Sequence, residues 1–89
     1  MARVIHKYPL YFTEHQLITV QGPVDKVLCV QMQHGLPTMW VLRNDESSIP
    51  TYLRIRMLGT GQTVEAVHGD YLGTVQSDGL VWHYFGGAS

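Results

Sequence analysis

The sequence predicts a small, mainly β domain: an antiparallel fold of about six or seven strands built from consecutive hairpins, with at most one or two short helical turns. Three observations carry this. Apolar residues recur with a period of two over residues 26–33 and 51–58, which puts alternate side chains on one face of a pleated strand. Turn formers punctuate the chain at Gly22-Pro23, His34-Gly35 and Asp78-Gly79, where a tight reversal needs positive φ or a fixed bend. Between those breaks the chain is rich in β-branched and aromatic residues, and hydrophobic residues make up 45% of the 89, a composition that suits half-buried strands.

Taken in order, residues 3–11 form the first strand, and Pro9 within it predicts a sheet edge because proline cannot donate to a ladder. Thr13, followed three residues later by Gln16, has the form of a capped helical turn. Leu17-Ile18-Thr19-Val20 then returns to strand formers and closes at Gly22-Pro23. Over residues 26–33, Leu28, Val30 and Met32 share one predicted face, and Val27, Cys29, Gln31 and Gln33 share the other. His34-Gly35 turns the chain, and residues 37–42 return as the hairpin partner.

A polar loop, Asn44-Asp45-Glu46-Ser47-Ser48, comes next, and Pro50 stops any helix from crossing it. In the strand over residues 51–58, Leu53, Ile55 and Met57 face one way. Tyr52, Arg54, Arg56 and Leu58 face the other, so the two guanidinium groups point to the same side. Residues 71–76 and 80–85 make a second hairpin about Ser77-Asp78-Gly79, and residues 86–89 are expected to form a loose tail of a single domain spanning 1–89. The pattern L-G-T-x-Q occurs at residues 58–62 and again at 72–76. That spacing is below any solenoid period, so both glycines are expected at a bulge or a close backbone approach.

Composition narrows the function. Six Lys and Arg against seven Asp and Glu leave a net charge of −1 with histidine neutral, which denies the chain the positive field that holds a nucleic-acid polymer. Cys29 is the single cysteine; it allows no internal disulfide and no Cys-x-x-Cys motif, and it fits a reducing cytosol. The segment from Met1 to Lys7 turns polar before a signal-like run forms, and no stretch approaches the ~18 apolar residues of a membrane span. A soluble, intracellular protein with no membrane partner is therefore expected. A chain this short and apolar is hard to bury alone, so a homo-oligomer, dimer or tetramer, is expected too.

The five histidines, His6, His15, His34, His68 and His83, lack H-x-x-x-H or H-E-x-x-H spacing and a cysteine partner, so neither a metal nor another cofactor is expected. His68-Gly69-Asp70 pairs an imidazole with a carboxylate, yet no activated serine or cysteine accompanies it, and a polar turn before Tyr71 explains it as well. With no carboxylates paired by strand parity for acid and base work, the chain is not expected to be an enzyme. The aromatics Tyr8, Tyr11, Trp40, Tyr52, Trp82 and Tyr84 lie on strands or strand ends. They are either core or a platform on which a base stacks, with Gln31, Gln33 and His83 reading its edges. Gly59-Thr60-Gly61 lacks the lysine and helix start of a P-loop. It is either the turn that ends a strand or a nest of backbone N–H groups for an anion, helped by the Thr60 hydroxyl and by Arg54 and Arg56.

In sequence order the chain carries K-Y-P (Lys7-Tyr8-Pro9), V-Q-M-Q-H-G (Val30 to Gly35) followed by Trp40, G-T-G (Gly59 to Gly61), Y-L-G-T-V (Tyr71 to Val75) and V-W-H-Y-F (Val81 to Phe85). This ordered set resembles a family of small tailed-phage proteins catalogued as a domain of unknown function, over almost the whole chain. The resemblance implies a phage accessory protein acting in the cytosol of the bacterial host. Small β-rich phage proteins of this size include nucleotide sponges, so the expected function is sequestration of a cyclic dinucleotide or cyclic ADP-ribose type immune signal without cleavage. The expected ligand set is Lys7, Tyr8, Gln33, Trp40, Arg54, Arg56, Gly59, Thr60, Gly61, Trp82 and His83, with Trp82 and Tyr8 stacking on bases. Other classes fit as well: a protein-binding inhibitor of a host enzyme, using an exposed aromatic and aliphatic patch, or a small structural module without a ligand. A phosphodiesterase-like enzyme is disfavoured by the missing metal or His-pair motif.

Overall fold

The computed structural model describes residues 2–64 and 69–88. Those residues contain no helix and form seven strands: β1 (Arg3–Pro9), β2 (His15–Gln21), β3 (Val24–Gln33), β4 (Leu36–Asn44), β5 (Pro50–Gly59), β6 (Asp70–Ser77) and β7 (Leu80–Ala88). All pairings are antiparallel, in a three-stranded sheet ordered β1-β4-β3 and a four-stranded sheet ordered β2-β5-β7-β6. The inner faces of both sheets meet in one core that includes Val30, Met39 and Val41 from the first and Val20, Leu53, Ile55, Met57, Val75 and Tyr84 from the second. Alternation along β5 is as expected through Met57, with Leu53, Ile55 and Met57 buried, but Leu58, expected on the other face with Arg54 and Arg56, is buried as well. No helix among these residues is long and apolar enough to cross a membrane.

Turn chemistry fixes both hairpins. His34 and Gly35 have φ of 52° and 80°, and Asp78 and Gly79 have 52° and 79°, the doubly positive form whose twist matches flanking strands. Pro9 ends β1 at the edge of its sheet, where its missing N–H costs no ladder bond.

The helical turn expected at Thr13 is not formed. Gln16 lies in β2, and its side-chain amide accepts from the Tyr11 N–H and donates to the Tyr11 carbonyl, both at 3.0 Å. One side chain thus satisfies both polar groups of a single residue, and the β1–β2 connection closes without a helix.

β3 departs from simple alternation. Its ladder to β4 shifts register between Val24 and Lys26 and again between Val27 and Cys29. Each extra residue reverses the faces of the residues after it, so Val24, Val27 and Met32 pack on the core beside Val30 while Leu28 is 40% exposed. The expected tail is also partly strand: Gly86 and Gly87 pair with Ile55 and Arg54 in the β5–β7 ladder.

The two L-G-T-x-Q glycines do different things. A Cβ on Gly73 would stand 2.8 Å from the Val30 nitrogen and 2.9 Å from its carbonyl oxygen, so β6 and β3 touch backbone to backbone and join the two sheets along one side. The ladder from β6 to β7 shifts register beside it, between Tyr71 and Gly73. Gly59 closes β5 under the ring of Trp82.

Tyr84 spans the core: fully buried, it donates its hydroxyl toward the Tyr11 carbonyl at 3.2 Å, with the Met57 sulfur at 3.3 Å. Burial pushes its pKa up to about 12, because the phenolate would be desolvated. An unfolded tyrosine ionises near 10, so the folded state holds the proton more tightly. Its contribution is complete below pH 10 and is lost as pH rises toward 12. Denaturation midpoints of the parent are expected to fall across that window, with a smaller fall in Tyr84→Phe.

Candidate functional site

Pairing across β5, β7 and β6 brings several polar and aromatic side chains to the outer face of the four-stranded sheet. Tyr84 and Gly86 point inward, so Phe85 and His83 point out. Cross-strand partners share a face: Arg56, Phe85 and Tyr71 make one row, and His83 with Thr74 begins the next.

On this face runs a continuous chain of hydrogen-bonding groups. The Tyr71 hydroxyl lies 2.5 Å from the Thr74 hydroxyl, which lies 3.0 Å from His83 Nδ1. His83 Nε2 is 2.8 Å from the Thr60 hydroxyl. Two threonine hydroxyls thus hold the imidazole from both sides, and because a hydroxyl both donates and accepts, the chain can run in either direction. Tyr71 is 59% exposed and meets the Phe85 ring edge-on, with centroids 5.6 Å apart. Arg54, also exposed, stands on the same face one alternate position before Arg56.

Thr60 links this chain to the glycine turn. Gly59, Thr60, Gln62 and Trp82 line an open depression of about 460 Å³ beside the β6–β7 turn. Two of the three N–H groups of the expected anion nest, those of Gly59 and Thr60, are bonded within the protein. The Gly59 N–H bonds the Gln62 side-chain oxygen at 2.5 Å, the Thr60 N–H bonds the Val81 carbonyl at 3.3 Å, and the Gln62 N–H bonds the Gly59 carbonyl at 3.1 Å. Closing a strand explains this geometry without an anion. Gly61 has φ of 92° and open space where a Cβ would stand, so backbone strain, not crowding, makes glycine necessary. Gly61→Val is expected to cost about 1–3 kcal/mol, read as a lower denaturant midpoint at unchanged slope.

The expected ligand residues fall into two groups. Arg54, Arg56, Gly59, Thr60, Gly61, Trp82 and His83 lie on the four-stranded sheet or at its turn, whereas Lys7, Tyr8, Gln33 and Trp40 belong to the three-stranded sheet. On the latter, Lys7 donates to the Gln33 side chain at 2.7 Å, and Trp40 faces outward between Lys7 and Cys29. Gln31 is on this sheet too, away from His83. Tyr8 and Trp82, expected to stack on bases, are instead partly buried against the core from opposite sheets; strand parity pairs Tyr8 with the buried Met39.

Tyr71, Thr74 and Phe85 fall within the Y-L-G-T-V and V-W-H-Y-F motifs but were not among the expected ligand residues. Counting back from the Asp78-Gly79 turn sets Ser77 against Leu80 and hence Thr74 against His83, so the hairpin register held that signal. His68 lies outside the described residues; Asp70 begins β6. Among the described residues, no three His, Cys, Asp or Glu side chains are grouped to hold a metal ion.

No curated protein and no solved structure matches the chain. A family model does match, and it covers residues 1–89: the chain belongs to the family described as domain of unknown function DUF7352.

Proposed function

We propose that this chain is a non-catalytic binding protein that holds a small anionic nucleotide on the outer face of its four-stranded sheet and releases it unchanged. The observation that carries the reading is the exposed chain Tyr71–Thr74–His83–Thr60 beside Phe85 and the Arg54/Arg56 side of β5. Sheet recognition of a base combines an aromatic face with nearby edge-reading donors and acceptors, and a phosphate adds a demand for guanidinium groups. This face offers all three over two adjoining rows. A net charge of −1 favours a small ligand over a polymer.

On this reading the protein is a phage accessory protein, a homo-oligomer working in the cytosol of the infected bacterium. Its ligand is a cyclic dinucleotide or cyclic ADP-ribose type immune signal, and sequestering that signal blocks host defence. Sequestration needs neither an activated nucleophile nor a metal. Native mass spectrometry after incubation with a panel of cyclic dinucleotides and cyclic ADP-ribose tests it. A bound adduct is expected, with the nucleotide recovered intact after denaturation. A linearised or deaminated product would make the protein an enzyme, and no adduct with any panel member would remove the nucleotide reading.

A second reading, a protein-binding inhibitor of a host enzyme, is favoured by the outer face of the three-stranded sheet. There Ile5 is 55% exposed beside Leu42 and Trp40, with Leu28 nearby on β3. Apolar side chains with a tryptophan among them suit a protein partner better than a nucleotide.

A further inference from the structure

Sheet edges invite strand pairing unless something blunts them, and the four edge strands here differ in that respect. β1 carries Pro9, Lys7 and Arg3. β3 is bulged twice and β6 once, and those two meet at Val30 and Gly73. β2, with the sequence His15-Gln16-Leu17-Ile18-Thr19-Val20-Gln21, has no proline, no lysine, arginine or carboxylate, and an unbroken register with β5.

The direction of its backbone groups follows from three hydrogen bonds. The Met57 N–H donates to the Glu14 carbonyl at 3.0 Å, and the Thr51 hydroxyl donates to the Gly22 carbonyl at 2.9 Å, so the even-numbered residues turn their peptide groups toward β5. His15, Leu17, Thr19 and Gln21 turn theirs to the open side. Gln21 is taken there, because Arg43 Nη1 donates to its carbonyl at 2.6 Å. No hydrogen bond among the described residues closes the outward groups of the other three. What remains is a run symmetric about Leu17.

We infer that β2 is the self-association edge: a second copy adds antiparallel along it, with the two-fold axis through Leu17. Leu17 then lies opposite Leu17 of the other copy, and His15 opposite Thr19 in both directions. A strand of any sequence could donate to this edge, but the open groups are self-complementary about their own centre, which is what an isologous contact requires. No like charges meet across the seam, and Leu17, 53% exposed in the single chain, is covered by its counterpart. The two four-stranded sheets become one of eight strands, and their outer faces become continuous. Leu17 is the ladder partner of Arg54, so the central row reads Arg54, Leu17, Leu17, Arg54, with the two arginine backbones about 14 Å apart at ordinary strand spacing. The dimer would thus carry two guanidinium groups flanking one seam, an arrangement absent from the single chain.

Sedimentation velocity of the ligand-free protein through the micromolar range tests the assignment, so its outcome is separate from that of nucleotide binding. The parent is expected to be dimeric. Leu17→Lys sets like charges face to face, and Leu17→Pro removes an N–H that β5 does not use; each is expected to weaken association at least about tenfold with an unchanged circular dichroism spectrum. If the proline variant misfolds, the lysine variant decides alone. Hydrogen exchange is expected to show the Leu17 and Thr19 amides protected in the parent and exchanging in Leu17→Lys. A monomeric parent, a dimer indifferent to Leu17→Lys, or a dimer with both amides unprotected would each overturn the assignment.

Discussion

Gly73→Ala is expected to lower the melting temperature by about 12–24 °C, the effect of roughly 3 kcal/mol on a domain of this size. The added methyl would stand within 3 Å of the nitrogen, the carbonyl oxygen and the Cβ of Val30. Two of those atoms are backbone and cannot rotate away. The only relief is to part β6 from β3, which separates the sheets along the side where they join. Gly35→Ala is the control: it also introduces a methyl at a glycine, but nothing lies within 4 Å and only its φ of 80° is strained, so a loss of about 1 kcal/mol is expected. Thermal melts of the two variants separate crowding from turn strain.

Tyr84→Ala is expected to cost about 3–5 kcal/mol, enough to leave a domain of this size near the limit of folding. The ring is fully buried among Met57, Ile55 and the other core residues, and its removal leaves a cavity between two sheets that are held elsewhere by their own ladders. Tyr84→Phe keeps the ring and loses only the hydroxyl, at an expected cost of about 1 kcal/mol. The Tyr11 carbonyl retains its bond from the Gln16 amide at 3.0 Å. Urea denaturation of both variants measures the ring and the hydroxyl separately.

These two positions show how unevenly the fold was legible in the sequence. Hairpins declared themselves because a two-residue turn with positive φ has a local signature, as at His34-Gly35 and Asp78-Gly79. Pro9 likewise marks its edge by its own chemistry. The inner face of β5 came from period two alone. β3 did not, because its two bulges answer to the partner strand β4 and leave no mark at Asp25 or Leu28. Gly86 and Gly87 read as a tail for the same reason, since their order comes from β5, more than thirty residues earlier in the chain.

The candidate site divides along the same line. Strand parity put Arg54 and Arg56 on one side, and that side is the outer face. Thr60 and His83 entered as separate residues, and only the β5–β7 ladder brings them together. Tyr8 and Trp82 were assigned to a platform because aromatic type was weighed without its face; the pleat turns both toward the core. Tyr52, Tyr71 and Phe85 are aromatics that the fold leaves on the outer face, and the pairing of Tyr71 with Phe85 depends on a bulge beside Gly73.

The most direct test of nucleotide binding on this face is a heteronuclear NMR titration of the labelled protein with a cyclic dinucleotide and, separately, with cyclic ADP-ribose. The expected result with at least one of them is a saturable shift of the Arg54, Tyr71, Thr74, His83 and Phe85 resonances, while Ile5, Trp40 and Leu42 on the other sheet stay in place. Unchanged spectra with both nucleotides, or shifts confined to the face around Trp40, would contradict it.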